Sequence, residues 1–200
     1  MKKHIFVFIL SLFLVSTVSA QSVQKSVCID PGHGGSDVGA VNGSIKESEL
    51  NLDIAKRLFI LLKNSGYNVF QTRTTDEALS NNDRYTFCNN NKATILLSIH
   101  HNSTTKATVD YSRALYMKKS DVDLAKAVVG SISSQLGLAN SGISRFASGV
   151  LLKANMPATI SEGFFLSNSN EYTLLTTGDS RKQSEAEALK MAVINYFSSH

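Results

Sequence analysis

One short run, Val27-Cys28-Ile29-Asp30-Pro31-Gly32-His33-Gly34-Gly35, indicates the architecture of this chain. Its apolar beginning is typical of a buried strand, and Pro31-Gly32 ends that strand abruptly, so His33 is predicted just past the carboxyl end. Ligands bind at this edge in open α/β sheets. His33 is therefore a candidate functional residue.

Glu47 is the next candidate, because it stands just ahead of apolar residues at helical spacing, namely Leu50, Ile54, Leu58 and Leu61. The spacing predicts a helix with Glu47 in its first turn, where the carboxylate can face the edge of the sheet. Neutral imidazole and carboxylate are both good Zn²⁺ ligands, and one further histidine completes an open catalytic site.

Two other roles for these residues have to be considered. Ser44 and Glu47 also fit a capping box, in which the carboxylate would bond to the free amides of the helix. A phosphate-binding loop is disfavoured: Gly34 and Gly39 have the Walker spacing, but Ala40-Val41 follows them, and Asp37 breaks the Gly-x-Gly-x-x-Gly pattern. Metal binding and helix capping both remain open for Glu47 at this point.

The rest of the chain alternates between predicted strands and helices, which indicates a largely parallel α/β sheet. The predicted strands are Tyr67 to Gln71, Ala93 to Ile99, Ala114 to Met117, Val150 to Leu152 and Ala158 to Ser161. The predicted helices are Asn82 to Asn91, Asp121 to Leu136 and Arg181 to Phe197, with a turn through Gly142 and Arg145.

Four side chains should meet at one edge of this sheet. His33, His100 and Glu162 each follow a predicted strand, and Glu47 begins a helix. Because the carboxyl ends of parallel strands share an edge, two histidines and two carboxylates there favour a zinc site.

The same residues carry a family resemblance, spread over nearly the whole chain after residue 20. The motifs are Asp30-Pro31-Gly32-His33-Gly34-Gly35, Glu47 before Leu50-Asn51-Leu52, Thr72-Arg73 with Asp76, Arg84 with Asn89, Ser98-Ile99-His100 with Asn102, and Pro157-Ala158 leading to Glu162 and Phe165-Leu166-Ser167-Asn168. In this order they resemble the zinc-dependent N-acetylmuramoyl-L-alanine amidases of the Amidase_3 family.

That resemblance implies a fold, a metal and a substrate. The fold would be a single twisted, largely parallel sheet of about six strands flanked by helices, phosphorylase/hydrolase-like in type. His33, Glu47 and His100 would bind one Zn²⁺, and Glu162 would be catalytic. The substrate would be peptidoglycan, cleaved between the lactyl group of N-acetylmuramic acid and L-alanine.

Two positions depart from the family pattern. His101 stands where a small residue is usual, so it could line the substrate cleft or compete with His100 for the metal. Phe164 occupies the position before Phe165 that is more often glycine, and Gly163 precedes it. We assign substrate contacts to His101, Asn102 and Arg73.

The amino terminus predicts export. Residues 1–20 combine a basic start, an apolar run and Val18-Ser19-Ala20, which together are typical of a secretory signal peptide cleaved after Ala20. Residues 21–200 would then form one catalytic domain, with no membrane anchor, since the apolar run falls short of the roughly 20 residues of a span. We expect a monomer in the periplasm rather than in the medium.

The net charge bears on the possible binding partners, and the two cysteines bear on a possible disulfide. Removing Lys2 and Lys3 lowers the formal net charge from +4 to +2, and no basic cluster with aromatic residues remains, which disfavours nucleic acid. Cys28 and Cys88 are interpreted as small core residues, although an exported protein could join them in a disulfide.

Two other functions remain compatible with these residues. One is a zinc peptidase acting within peptidoglycan stem peptides, and the other is a non-catalytic wall-binding module. The four filled positions of the predicted site favour an enzyme over the binding module. The interval between Asn102 and Ser161 is used by predicted sheet and helix elements, so we expect no plug over the site.

Overall fold

The computed structural model describes residues 25–200, and the predicted signal peptide lies outside this range. Within these residues no helix has both the length and the apolar composition of a membrane span. The strands in this part of the chain are β1 (Ser26–Pro31), β2 (Val41–Asn42), β3 (Ile45–Lys46), β4 (Asn68–Gln71), β5 (Ile95–Asn102), β6 (Ser112–Tyr116), β7 (Asn140–Arg145) and β8 (Ala158–Phe165). The α-helices are α1 (Glu47–Asn64), α2 (Asn81–Asn90), α3 (Val122–Leu136), α4 (Gly149–Lys153), α5 (Ser169–Thr177) and α6 (Ser180–Ser198).

Six of the strands form one sheet in the order β4-β1-β5-β8-β6-β7, and β2 pairs with β3 in a separate hairpin. Strands β4, β1, β5 and β8 run parallel to one another, whereas β6 is antiparallel to β8 and parallel to β7. The predicted largely parallel sheet of about six strands is therefore confirmed.

Two hydrophobic layers cover the sheet, because successive residues of a strand point to opposite faces. Val27 and Ile29 of β1 pack with the apolar faces of α1, α3 and α6. Cys28, between them, packs on the other side with residues of α2 and α4. Because both faces of the sheet are buried, the sequences of β1 and β5 contain continuous apolar runs.

Two predicted elements are wrong. Val150 to Leu152 is part of helix α4 rather than a strand, and the Ser148 hydroxyl caps that helix by accepting a hydrogen bond from the Leu151 N–H at 3.1 Å. A run of three apolar residues fits either conformation. The predicted turn through Gly142 and Arg145 is strand β7, an edge strand in which Gly142 has a φ of 79° at a shift of register.

The interpretation of the cysteines also needs correction. Cys28 of β1 and Cys88 of α2 are fully buried, as expected, but they are joined in a disulfide. The bond links the second face of the sheet to the helix that covers it. Sequence could place each cysteine in its element but could not give the distance between the two sulfurs.

Candidate metal centre and cleft

His33 is placed by the tight turn that follows β1. Its φ of 58° lies in the left-handed region, and the Gly32 N–H donates to the Ile99 carbonyl of β5 at 2.9 Å. The His33 Nδ1 lies 2.8 Å from a carboxylate oxygen of Asp37, which leaves Nε2 to face Glu47 Oε1 at 3.2 Å. A histidine held at one ring nitrogen by a carboxylate is oriented as metal-ligating histidines usually are.

Two buried arginines hold the turn from the other side. Arg84 donates to the carbonyl oxygens of Pro31 and His33, at 2.7 and 2.8 Å, and to the Asp30 carboxylate at 2.9 Å. Arg73 donates to the carbonyls of Pro31 and Gly32 at 3.0 and 2.9 Å. Burial acts to raise the pKa of Asp30, but the Arg84 charge and its hydrogen bonds hold that pKa below the usual value.

The structure contradicts the predicted contact of Arg73 with substrate. Its side chain is only 1% exposed, and its guanidinium also donates to the carbonyls of Thr75 and Ser48. These hydrogen bonds occupy the group inside the protein, so Arg73 shapes the turn and is not available to a substrate.

Glu47 is the first residue of α1 and is almost fully buried. The Ala40 N–H donates to its Oε2 at 2.9 Å, and the His101 N–H donates to its Oε1 at 3.0 Å. Helix α1 has no side-chain cap, which excludes the capping box considered for Glu47. The carboxylate therefore faces the edge of the sheet.

His33, Glu47 and His100 come together there. Glu47 Oε1 lies 3.2 Å from His33 Nε2 and 3.1 Å from His100 Nδ1, and the three candidate ligand atoms all lie within 4.8 Å of one another. A tetrahedral zinc with bonds of about 2.1 Å separates its ligand atoms by roughly 3.4 Å. The donor set and spacing therefore fit a zinc ion.

The charges of the three groups are coupled. The hydrogen bond to Glu47 is the main cause that raises the pKa of His33 to about 9, against the opposing effect of burial. Burial acts to raise the pKa of Glu47, but hydrogen bonds with His100 and His33 lower it far below the usual value. A buried carboxylate whose ion-pair partners are imidazoles suits a bound cation.

Glu162 lies beside this triad, although not at the end of its strand as predicted. Strand β8 continues to Phe165, and Glu162 sits within it, opposite His100 of β5 and Arg113 of β6. Burial is the main cause that raises the pKa of its carboxyl group; the Glu47 charge adds to this, and His100 and Arg113 oppose it. A raised pKa suits a group that accepts a proton near neutral pH.

A cleft of about 400 Å³ opens next to the triad. Its lining residues are His33, His100, Arg113, Leu115, Ser144, Arg145, Phe146, Ile160 and Glu162. A smaller hollow of about 220 Å³ shares His33, His100, Phe146 and Ile160 with it. The volume is in the range of small-ligand sites.

His101 does not line this cleft, so its predicted contact with substrate is wrong. It follows His100 on β5 and points to the opposite face, where it is 3% exposed. Its Nδ1 lies 2.8 Å from Asn51 Oδ1 and its Nε2 lies 2.9 Å from Glu185 Oε2. Competition with His100 for a metal is excluded by the same geometry.

The partners of His101 were missed in the sequence. Asn51 lies one helical turn after Glu47 and also donates to the Gly32 carbonyl at 3.2 Å, which links the triad to α6 through His101 and Glu185. A polar residue on the apolar face of a predicted helix was the available signal. Asn102 is half-buried at the end of β5, and its contact with substrate stays a prediction.

Comparison with known proteins identifies relatives of the chain. The Amidase_3 family model, described as N-acetylmuramoyl-L-alanine amidase, matches residues 27–195. The amidase LytC of Bacillus subtilis (strain 168) is 29% identical over 179 residues, covering 88% of this chain but 36% of LytC. The probable cell wall amidase LytH of Staphylococcus saprophyticus is 32% identical over 155 residues, covering 76% of this chain and 52% of LytH.

Similarity to a solved structure extends over a complete domain. The catalytic domain of CwlV, an N-acetylmuramoyl-L-alanine amidase from Bacillus (Paenibacillus) polymyxa var. colistinus, superposes with a TM-score of 0.82 at 28% identity, covering 88% of this chain and 100% of that domain. The chain thus spans a third to a half of the curated relatives named above but the whole of this catalytic domain.

Proposed function

Since the chain belongs to the Amidase_3 family of N-acetylmuramoyl-L-alanine amidases, we propose that it hydrolyses the amide between the lactyl group of N-acetylmuramic acid and L-alanine in peptidoglycan. One observation carries the proposal: His33, Glu47 and His100 converge, and the two histidines line one cleft together with Glu162. We assign the first three to one Zn²⁺ and Glu162 to catalysis.

Each residue of the site has a separate role in the proposed reaction. When bound, Zn²⁺ supplies Lewis-acid chemistry. Glu162 takes the proton of the attacking water and returns it to the departing amine of L-alanine, a role that the raised pKa of its carboxyl group supports. Asp37 holds the His33 ring, and Arg84 fixes the backbone that carries it.

The place of action follows from the substrate. We assign the protein to the cell envelope outside the cytoplasm, and to the periplasm in particular. The disulfide between Cys28 and Cys88 supports an oxidising compartment. We also propose that the protein acts as a monomer and does not bind nucleic acid.

The function is tested by mass spectrometry of purified muropeptides after digestion. We expect the digestion to release free stem peptides that begin with L-alanine. Products cut within the stem peptide would instead establish a peptidase, and unchanged muropeptides with tight wall binding would establish a binding module. Either result overturns the proposal.

The assigned roles are tested by three variants. Glu162→Gln should keep its zinc and lower kcat by roughly 10²-fold or more, because the amide cannot accept the proton. His100→Ala should lose zinc in elemental analysis. His200→Ala is the matched control, since His200 lies exposed at the end of the chain. Full zinc content in His100→Ala, or near-normal turnover in Glu162→Gln, contradicts the assignment.

A further inference from the structure

The arginines of residues 25–200 fall into two groups. Four have guanidinium groups occupied by carboxylates or backbone carbonyls, namely Arg57, Arg73, Arg84 and Arg181. The remaining two, Arg113 and Arg145, have no side-chain hydrogen bond or ion pair among the described residues, and both line the cleft beside the triad. The two unpaired arginines therefore lie at the same cleft.

The guanidinium group of Arg113 has a buried donor that lacks a hydrogen-bond acceptor among residues 25–200. Arg113 lies on β6 opposite Glu162 of β8, and its Nε is buried without a hydrogen-bond acceptor in the described part of the chain. A buried donor without an acceptor is destabilising, and more so when it belongs to a charged group. A ligand that brings an acceptor into the cleft would remove this cost.

Arg145 adds a second cation from the neighbouring strand. It lies at the end of β7, paired in register with Tyr116 of β6, and its side chain is exposed. Phe146 follows it, and this large apolar residue is 51% exposed at the wall of the same cleft. Two cations beside an exposed aromatic ring suit an anionic group on a partly apolar chain.

We propose that Arg113 and Arg145 form an anion subsite that binds a carboxylate of the stem peptide, with Phe146 contacting its apolar part. The inference rests on the proposed function and names the part of the substrate that is recognised. A carboxylate suits the planar, forked guanidinium, which can donate two parallel hydrogen bonds to it. It would also be repelled by Glu162 unless cations lay next to it.

The size of the cleft indicates which carboxylate this is. At about 400 Å³ it holds a short segment only. Glu162 marks the position of the scissile amide, so the recognised group must lie within a few bonds of it. We therefore assign the subsite to a free α-carboxylate on the amino acid that follows L-alanine.

The experiment compares two substrates that differ in this group alone. One is an N-acetylmuramoyl dipeptide of L-alanine and D-glutamate with a free α-carboxylate, and the other carries the primary carboxamide there. The purified protein should cleave the carboxylate form with a kcat/KM at least about tenfold higher, the order expected for one charge-assisted hydrogen bond. Arg145→Gln and Arg113→Gln should each reduce this preference towards one.

The preference is the decisive readout, because Arg113 also lowers the pKa of Glu162 and its loss can change turnover of both substrates. Arg145→Lys should show a preference between that of the unchanged protein and that of Arg145→Gln. Arg57→Gln is the matched control, since Arg57 pairs with Asp53 and Asp179 and does not line the cleft, and it should keep the full preference.

A second readout does not depend on turnover. In Glu162→Gln protein, titration calorimetry should show the free dipeptide of L-alanine and D-glutamate binding at least about tenfold more tightly than its carboxamide, and Arg145→Gln should abolish the difference. Equal cleavage of both substrates by the unchanged protein, or a preference that survives both arginine variants, overturns the subsite while leaving the proposed function intact. Cleavage of neither substrate, together with unchanged muropeptides in the function test, overturns both.

Discussion

Breaking the disulfide between Cys28 and Cys88 should remove a large part of the folding stability. The bond joins residues 60 positions apart. In the chain-entropy treatment, a closed loop of about 60 residues lowers the entropy of the unfolded chain by about 14 cal/mol/K, or about 4 kcal/mol at 25 °C. Since domains are stable by about 5–15 kcal/mol, reduction should leave a much less stable but folded protein.

The assay is urea unfolding followed by circular dichroism, with and without a phosphine reductant. Reduction leaves both sulfur atoms in the core, so packing changes little and the free energy of unfolding should fall by about 3–4 kcal/mol. The variant with both Cys28→Ala and Cys88→Ala controls for direct effects of the reductant, to which it should not respond. A difference below about 1 kcal/mol between oxidised and reduced protein would refute the loop-entropy reasoning.

The triad should respond both to pH and to the space left around the ring of His100. Because Glu47 raises the pKa of His33 from 6.5 to about 9 in the metal-free protein, the stability that this pair contributes is complete below pH 6.5 and is lost as the pH rises through about 9. Zinc requires the neutral imidazole, so its affinity should increase with pH over the same window in chelator competition, and a flat profile would contradict the coupling. Gly32→Ala should weaken zinc binding at least about tenfold with the fold retained, since an added Cβ would lie 2.2 Å from the Nε2 of His100. Gly130→Ala, which has open space around its Cβ, should bind zinc normally, and equal affinities in the two variants would show that the ring of His100 adapts.

The triad could be predicted from sequence because each member follows a clear local signal. Pro31-Gly32 marks the end of a strand before His33, and a continuous apolar run precedes His100. Both features depend on neighbours in the chain. The same holds for Glu47 at the start of an amphipathic helix.

Most of the errors have a different cause, because they depend on contacts between distant segments. Arg73 looks like a substrate ligand in sequence, yet the fold turns it onto the carbonyls of Pro31 and Gly32. Whether a short apolar run becomes β-strand or α4 depends on what it packs against. His101 is the exception, because strand alternation alone places it on the face opposite to His100.

The position of β8 has a consequence for the timing of activity. Although it is the last strand in the chain, it lies between β5 and β6 and supplies Glu162. A polypeptide that emerges from its amino terminus exposes His33, Glu47 and His100 first, and domains generally fold as units. The nascent chain therefore contains the three proposed metal ligands long before it contains the proposed proton acceptor, so the proposed hydrolysis must wait until nearly all of the chain has emerged.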